Sequence, residues 1–309
     1  MKKVVSFKSC DGINTIHAVA WLPEGEPKAV LQIVHGMVEY IERYEEFAEY
    51  MNSQGFIVVG HDHLGHGESV QTEEDWGYIA EVNPSAKLVE DIRRVYVGAK
   101  KKFEGLPYFL LGHSMGSYLV RKYITVYGND LTGIILTGTG TESKATTKAG
   151  LMVIRALTKK YGSRYRSDFV RELMYTSPYK LYDLNGIDPE RGWITRDPEI
   201  TKKYYSDPKC TFTFTLNGYE ALVSTVDFVC DKKNIAKIPR KVPLLIASGD
   251  MDPVGNLGKG VKEFYNEVVK TGKMNVECKL FPEARHEILN EINREDVYAF
   301  LRDWMLNLL

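Results

Sequence analysis

The sequence predicts an α/β fold: a mostly parallel central sheet of about eight strands, helices on both faces, and an inserted, mainly helical cap. Three observations predict it. Short runs rich in Val and Ile alternate with helix-period segments in both ends of the chain. The alternation stops between about 141 and 237 and then resumes. A cluster of small residues, Gly-His-Ser-Met-Gly at 112–116, stands where an apolar run meets a helical one. With 309 residues, 44% hydrophobic and 26% charged, the chain is long enough for one large domain with an insertion or for two domains.

The strand runs fall at 4–7, 15–22, 30–34, 56–59, 108–111, 133–136, 242–247 and 276–281. The first two are separated only by an Asp11-Gly12 turn, which predicts an antiparallel hairpin at one edge of the sheet. Helical spacing fits 43–53, 86–102, 115–127, 260–269 and 295–308. Strand–helix alternation of this kind places helices on both faces of a parallel sheet. The break holds helical pieces, many tyrosines and turns at Ser177-Pro178, Asp188-Pro189, Asp197-Pro198 and Asp207-Pro208. We therefore divide the chain into a core (1–140 and 238–309) and a cap (141–237). An insertion between two sheet strands can cover the carboxyl edge, where ligands of open α/β sheets bind.

Formal net charge is −1, so no basic field invites nucleic acid. No apolar run reaches the length of a membrane span. The start, MKKVVSFKSCDG, is interrupted by Lys8, Ser9, Asp11 and Gly12 before an apolar signal core can form. It reads as the first strand of a cytoplasmic protein. The four cysteines (Cys10, Cys210, Cys230 and Cys278) are scattered without metal-ligand spacing, and read as free thiols.

Gly112-x-Ser114-x-Gly116 follows the apolar "YFLL" and precedes the helical "YLVRKYI". That context fits a nucleophile elbow, a sharp strand-to-helix turn that lifts a serine hydroxyl above the sheet. The flanking glycines remove Cβ atoms that would strike the neighbouring strand and helix. The helix N-terminus favours developing negative charge. A serine needs a base, and the base needs an acid to hold it. Chain order in this architecture is serine, acid, histidine. Of seven histidines, only His286 follows Ser114, in a loop just past the last apolar run. The preceding run ends in "SGDMDPVG", which offers Asp250 and Asp252. The Gly249-x-x-Asp252 spacing favours Asp252, and Asp250 reads as a turn residue. Two backbone N–H groups complete the set as an oxyanion hole: Met115 after the nucleophile, and Met37 in the loop after the third strand, "HGMVEYIERY".

"GHDHLGHGES" at 60–69 carries three histidines. No spaced carboxylate or cysteine set completes a zinc shell, so the stretch reads as a tight hydrogen-bonded loop beside the elbow.

Taken together, "HGMVEYIERY", "GHDHLGHGES", "LLGHSMGS", "SGDMDPVG" and "EARHEILNE" resemble the monoacylglycerol lipase and lysophospholipase group of the α/β-hydrolases, the hydrolase-4 or serine aminopeptidase S33 type. The resemblance covers nearly the whole chain, cap included. It implies the α/β-hydrolase fold, Ser114 as nucleophile, Asp252 and His286 as its partners, and Met37 and Met115 as oxyanion donors. The group commonly has His where this chain has Tyr40, a departure beside the oxyanion loop that bears on substrate rather than on the triad.

The expected reaction is transfer of an acyl group to water through an acyl-enzyme, with no cofactor or metal. Expected substrates are esters with one acyl chain, monoacylglycerols or lysophospholipids. Small esters, thioesters or amino-terminal peptide bonds are the alternatives on the same triad, and a non-catalytic ligand-binding protein is the alternative of another class. Between Glu142 and Tyr182 the cap has nine Lys or Arg against three Asp or Glu, and Leu151, Met152, Ile154 and Leu157 share one helical segment with Lys159 and Lys160. This composition suggests a cap that touches an anionic lipid surface transiently. The opposing reading is that the apolar side packs on the core.

Overall fold

A computed structural model describes residues 1–309 and contains one eight-stranded sheet. Its strands are β1 (Lys2–Lys8), β2 (Thr15–Trp21), β3 (Ala29–Val34), β4 (Phe56–His61), β5 (Tyr108–His113), β6 (Gly133–Thr137), β7 (Leu244–Gly249) and β8 (Val276–Phe281). They lie in the order β1-β2-β4-β3-β5-β6-β7-β8. β2 is antiparallel to β1 and β4, and every other pairing is parallel. β3, β4, β5 and β7 are buried along their whole length, which explains why they read as continuous apolar runs without alternation. Successive side chains still part to opposite faces: Leu110 joins one core, Phe109 and Leu111 the other.

The helices are α1 (Glu45–Ser53), α2 (Pro84–Lys102), α3 (Met115–Tyr127), α4 (Lys144–Tyr161), α5 (Asp168–Met174), α6 (Pro198–Ser206), α7 (Leu216–Val229), α8 (Lys232–Ile235), α9 (Lys259–Lys270) and α10 (Arg294–Leu306). α2, α3 and α9 cover one face of the sheet through Ile92, Leu119 and Phe264. α1 and α10 cover the other through Phe47, Met51, Leu301 and Met305. The architecture is the α/β-hydrolase fold expected from the sequence, and no helix is long and apolar enough to cross a membrane.

Several boundaries differ from expectation by a few residues, and three of them have a clear local reason. The first hairpin closes over six residues, 9–14, because the Asp11 carboxylate accepts the amides of Ile13 (2.8 Å) and Asn14 (2.9 Å) and widens the turn. α1 starts two residues late, since 41–44 form a tighter 3₁₀ turn. β7 starts at Leu244, after Pro243, which has no N–H for the ladder.

α4 to α8 all lie between β6 and β7, in the segment expected to be the cap. Side-chain caps fix its helix starts: Ser143 accepts from Thr146 N (3.1 Å), and Asp197 accepts from Glu199 N (3.0 Å). α4 and α7 join the larger core through Leu151, Ile154, Leu216 and Leu222. Leu151 and Ile154 are therefore packing residues, at 8% and 2% exposure, whereas Met152 beside them is 69% exposed.

Parallel register brings the strand ends together. Val34 of β3 pairs with Gly112 of β5, and His113 of β5 with Thr137 of β6. The loops carrying Met37, Ser114, Asp252 and His286 leave the sheet at this carboxyl edge.

Candidate active site

Ser114 links β5 to α3 with φ 52° and ψ −121°, a region that non-glycine residues rarely occupy. The neighbours hold it there. Ser114 N donates to Thr137 O at 3.0 Å. A Cβ on Gly112 would lie 2.6 Å from Gly116 O, and one on Gly116 would run into Val34 O. Strand, turn and helix are thus packed backbone against backbone, and no larger residue fits at either glycine.

His286 is 2% exposed and its Nδ1 lies 3.0 Å from Asp252 Oδ1. Asp252 is fully buried, and the same oxygen also accepts Val254 N at 2.8 Å. Asp250 accepts Glu283 N at 2.7 Å and stays outside the pair, as a turn residue does. Burial lowers the His286 pKa, but the Asp252 charge and hydrogen bond outweigh it, so the ring titrates above its ordinary value. The hydrogen bond to Asp252 assigns the proton to Nδ1 and leaves Nε2 as the free base. No hydrogen bond joins Ser114 Oγ to His286, although both side chains line one cavity. Such contacts are often open in unliganded enzymes.

Two residues that sequence reading missed hold the imidazole. Trp193 stacks on it at 4.9 Å and 27°, and His113 packs against it at 4.7 Å. His113 Nδ1 lies 3.0 Å from Thr137 Oγ1, and burial keeps its pKa well below the ordinary value. His113 stood inside the Gly-His-Ser-Met-Gly motif, but nothing in a linear pattern could tell that its ring meets His286. Trp193 is far from Ser114 in the chain and had no local signal.

The oxyanion loop is built by tautomer logic. His35 Nε2 accepts the amide of His63 at 2.9 Å, so its proton is on Nδ1 and is donated to Gly36 O at 2.8 Å. That holds the carbonyl of the Gly36–Met37 peptide toward His35. A trans peptide then turns the Met37 N–H the opposite way. Met37 N–H makes no hydrogen bond within the chain, and Met115 is the first residue of α3, with the free amide of a helix start. A Cβ on Gly36 would lie 2.9 Å from Ser114 Cβ, so the loop runs directly beside Ser114.

Gly36 N also donates to Glu39, which opens a buried charge cluster. Arg43 Nη1 contacts Glu39 Oε2 at 3.0 Å, and its guanidinium holds Glu287 bidentately at 2.8 Å and 2.8 Å. One cation thus ties the oxyanion loop to the residue after His286. Arg43 and Glu287 neutralise each other, so the charge of the cluster follows the protonation of Glu39. Burial raises the Glu39 pKa to about 7. Burial raises that of Glu287 too, but Arg43 overrides it and holds Glu287 at about 2.

The 60–69 stretch forms the tight loop expected of it. Asp62 accepts Ile41 N at 2.7 Å and Glu68 N at 2.8 Å, and Ser69 Oγ donates to Asp62 O at 2.7 Å. His63 and His66 pack against His35, with ring centroids 4.2 Å and 5.3 Å away, so the loop buttresses the segment that follows β3.

Met37, Glu39, Ser114, Met115, His286 and Glu287 border one cavity of about 740 Å³. Its lining includes Glu39, Glu287, Trp193 and Tyr204, and an apolar stretch from α4 and α7 with Gly150, Val153, Leu222, Val223 and Val226. The charged lining side chains are Glu39, Glu142 and Glu287, with no Lys or Arg.

Residues 25–293 match the family model described as serine aminopeptidase, S33 (hydrolase 4). The chain belongs to that family. A monoacylglycerol lipase of Mycolicibacterium smegmatis is 24% identical over 305 residues, 98% of this chain and 96% of that one. Phospholipase YtpA of Bacillus subtilis is 27% identical over 281 residues, 89% of this chain and 94% of that one. The crystal structure of a thermostable carboxyl esterase from Bacillus coagulans, in complex with glycerol, superposes with a TM-score of 0.90 at 28% identity, covering 99% of this chain and 98% of the other. The protein is a carboxylic-ester hydrolase of the monoacylglycerol lipase-like group.

Proposed function

We propose that the protein hydrolyses carboxylic esters with one acyl chain and an uncharged alcohol, monoacylglycerols ahead of lysophospholipids, through Ser114, His286 and Asp252. The observation that carries this reading is convergence: a strained serine, a paired His–Asp and two free amides meet in one cavity with an apolar stretch. His286 Nε2 takes the Ser114 proton as Oγ attacks the ester carbonyl. The oxyanion rests on Met37 and Met115 N–H. The alcohol leaves with the proton from His286, and water repeats the sequence on the acyl-enzyme. Asp252 keeps the imidazole in the required tautomer and stabilises its cation. Residues 141–237 act as the cap that covers this chemistry.

Electrostatics support the uncharged alcohol. Glu39, Glu142 and Glu287 face the cavity and no Lys or Arg does, so a phosphate would find no cationic partner there. The same carboxylates favour a second reading, an aminopeptidase, because they would accept a free α-amino group.

Phe169 and Leu173 line the cavity and are still 57% and 45% exposed, and Met152 is 69% exposed on α4. They support transient contact of the cap with a lipid surface, alongside the free Lys159 and Lys160. Part of the cap's basic charge is paired internally, as in Arg155–Glu220 (2.9 Å) and Arg164–Asp75 (2.8 Å), so contact would rest on apolar insertion more than on charge. A cytoplasmic placement rests on the four free thiols.

The test is fluorophosphonate labelling with peptide mapping, wild type beside Ser114→Ala, followed by a 1-monoacylglycerol, a lysophosphatidylcholine, p-nitrophenyl butyrate and an aminoacyl anilide. The expected result is a label on Ser114 and fastest turnover of the monoacylglycerol. Fastest turnover of the anilide selects the aminopeptidase. A folded protein that takes no label and returns its ligands intact is a binding protein.

A further inference from the structure

Gly150 occupies the interior of α4, which runs for 18 residues. A glycine there weakens a helix relative to alanine. Two other helix glycines that border buried backbone, Gly116 and Gly218, are demanded by packing, whereas Gly98 lies on an exposed face of α2. A Cβ on Gly116 would strike Val34 O, and one on Gly218 would strike Gly77 O and lie 2.8 Å from Phe214 Cδ2. Gly150 meets no such demand. Its Cβ would touch only Val223 Cγ1, at an ordinary 3.7 Å, and its φ is not in the left-handed region. Neither backbone conformation nor packing requires a glycine at this position.

What its missing side chain leaves is room in the cavity. Gly150 faces the gap between α4 and α7, where Val153, Leu222, Val223 and Val226 form the apolar stretch. Thr146, Gly150 and Val153 are spaced at i, i+4 and i+7, so they form one stripe of α4 turned to that gap. Any larger residue at 150 would project from α4 into the space beside Val223. The carboxylates of Glu39 and Glu287 suit an alcohol, so the acyl chain takes the apolar stretch that Gly150 keeps open.

We propose that Gly150 sets the length of acyl chain the enzyme accepts, and that the open gap makes long-chain esters its substrate class. The inference rests on the ester-hydrolase reading above. Its test uses p-nitrophenyl esters from butyrate to palmitate, with wild type, Gly150→Leu, Gly150→Ala and Gly98→Leu. Gly98 is an exposed helix glycine on α2, away from the cavity. A Cβ there would meet nothing within 4 Å, so it serves as the control. In Gly150→Leu the ratio of kcat/KM for butyrate to that for palmitate should rise roughly 10–100-fold, since each lost methylene contact counts heavily in an apolar pocket. Gly150→Ala should shift the ratio the same way by a few-fold and raise Tm, and Gly98→Leu should leave the ratio unchanged. An unaltered ratio in both Gly150 variants overturns the inference. So does equal loss at every chain length in a variant that keeps its Tm. A wild type that cleaves no ester and takes no fluorophosphonate label overturns the hydrolase reading itself, and this inference with it.

Discussion

The two walls of the cavity are built by opposite rules. On the sheet side every atom near Ser114 is over-determined: Gly36, Gly112 and Gly116 admit no Cβ, Ser114 is held at positive φ, and His286 is sandwiched between Trp193 and His113. On the cap side Gly150 has room to spare, and Phe169 and Leu173 are lining residues that still meet solvent. The contrast assigns the walls different work. Chemistry needs preorganised groups and tolerates no slack. Accommodation of a chain needs volume, and a partly exposed helical wall supplies it.

Breaking the sheet side should produce the largest effects. Ser114→Ala should lower kcat by about 10⁴–10⁶-fold, read with a monoacylglycerol or p-nitrophenyl ester. Next comes the aspartate pair: Asp252→Asn should cost roughly 10³–10⁴-fold through the wrong His286 tautomer, while Asp250→Asn should change kcat by only a few-fold. The reverse order would move the acid to Asp250 and undo the geometric pairing.

A pH profile sharpens the same wall. On the proposed role of His286 as base, kcat/KM should fall as pH drops through its pKa, and that limb should lie above the ordinary value of 6.5 because Asp252 raises it. In Asp252→Asn the raising charge is gone while burial persists, so the limb should move to lower pH. Glu39, pushed up to about 7, titrates in the same window, and Glu39→Gln separates its contribution from that of His286. The smallest effect belongs to the cap surface. Phe169→Ser with Met152→Ser should reduce co-sedimentation with anionic liposomes by a few-fold. Unchanged liposome binding would make the exposed apolar residues part of the cavity mouth alone.

Legibility followed the same divide. Ser114 and its glycines could be read because a strand, a sharp turn and a helix are consecutive, and their steric demands fall on neighbouring residues. His286 could be read by elimination, being the only histidine after Ser114. The cap gave a composition without a geometry. Leu151 and Ile154 looked like candidates for a lipid face, and packing against α7 turned them inward. Arg43, Glu39 and Glu287 carried no signal, since Glu287 is 244 residues from Arg43 and only the fold makes them partners.

By itself the sequence determined the order of elements, the elbow, and the residue types that a serine hydrolase needs, because those depend on local sterics and on side-chain chemistry. Tertiary structure alone decided which rings confine His286, how His35 aims the Met37 amide, and where the cavity stays open. These are contacts between distant segments, and they depend on parallel register and on the docking of 141–237 over the sheet, which no short stretch of sequence encodes.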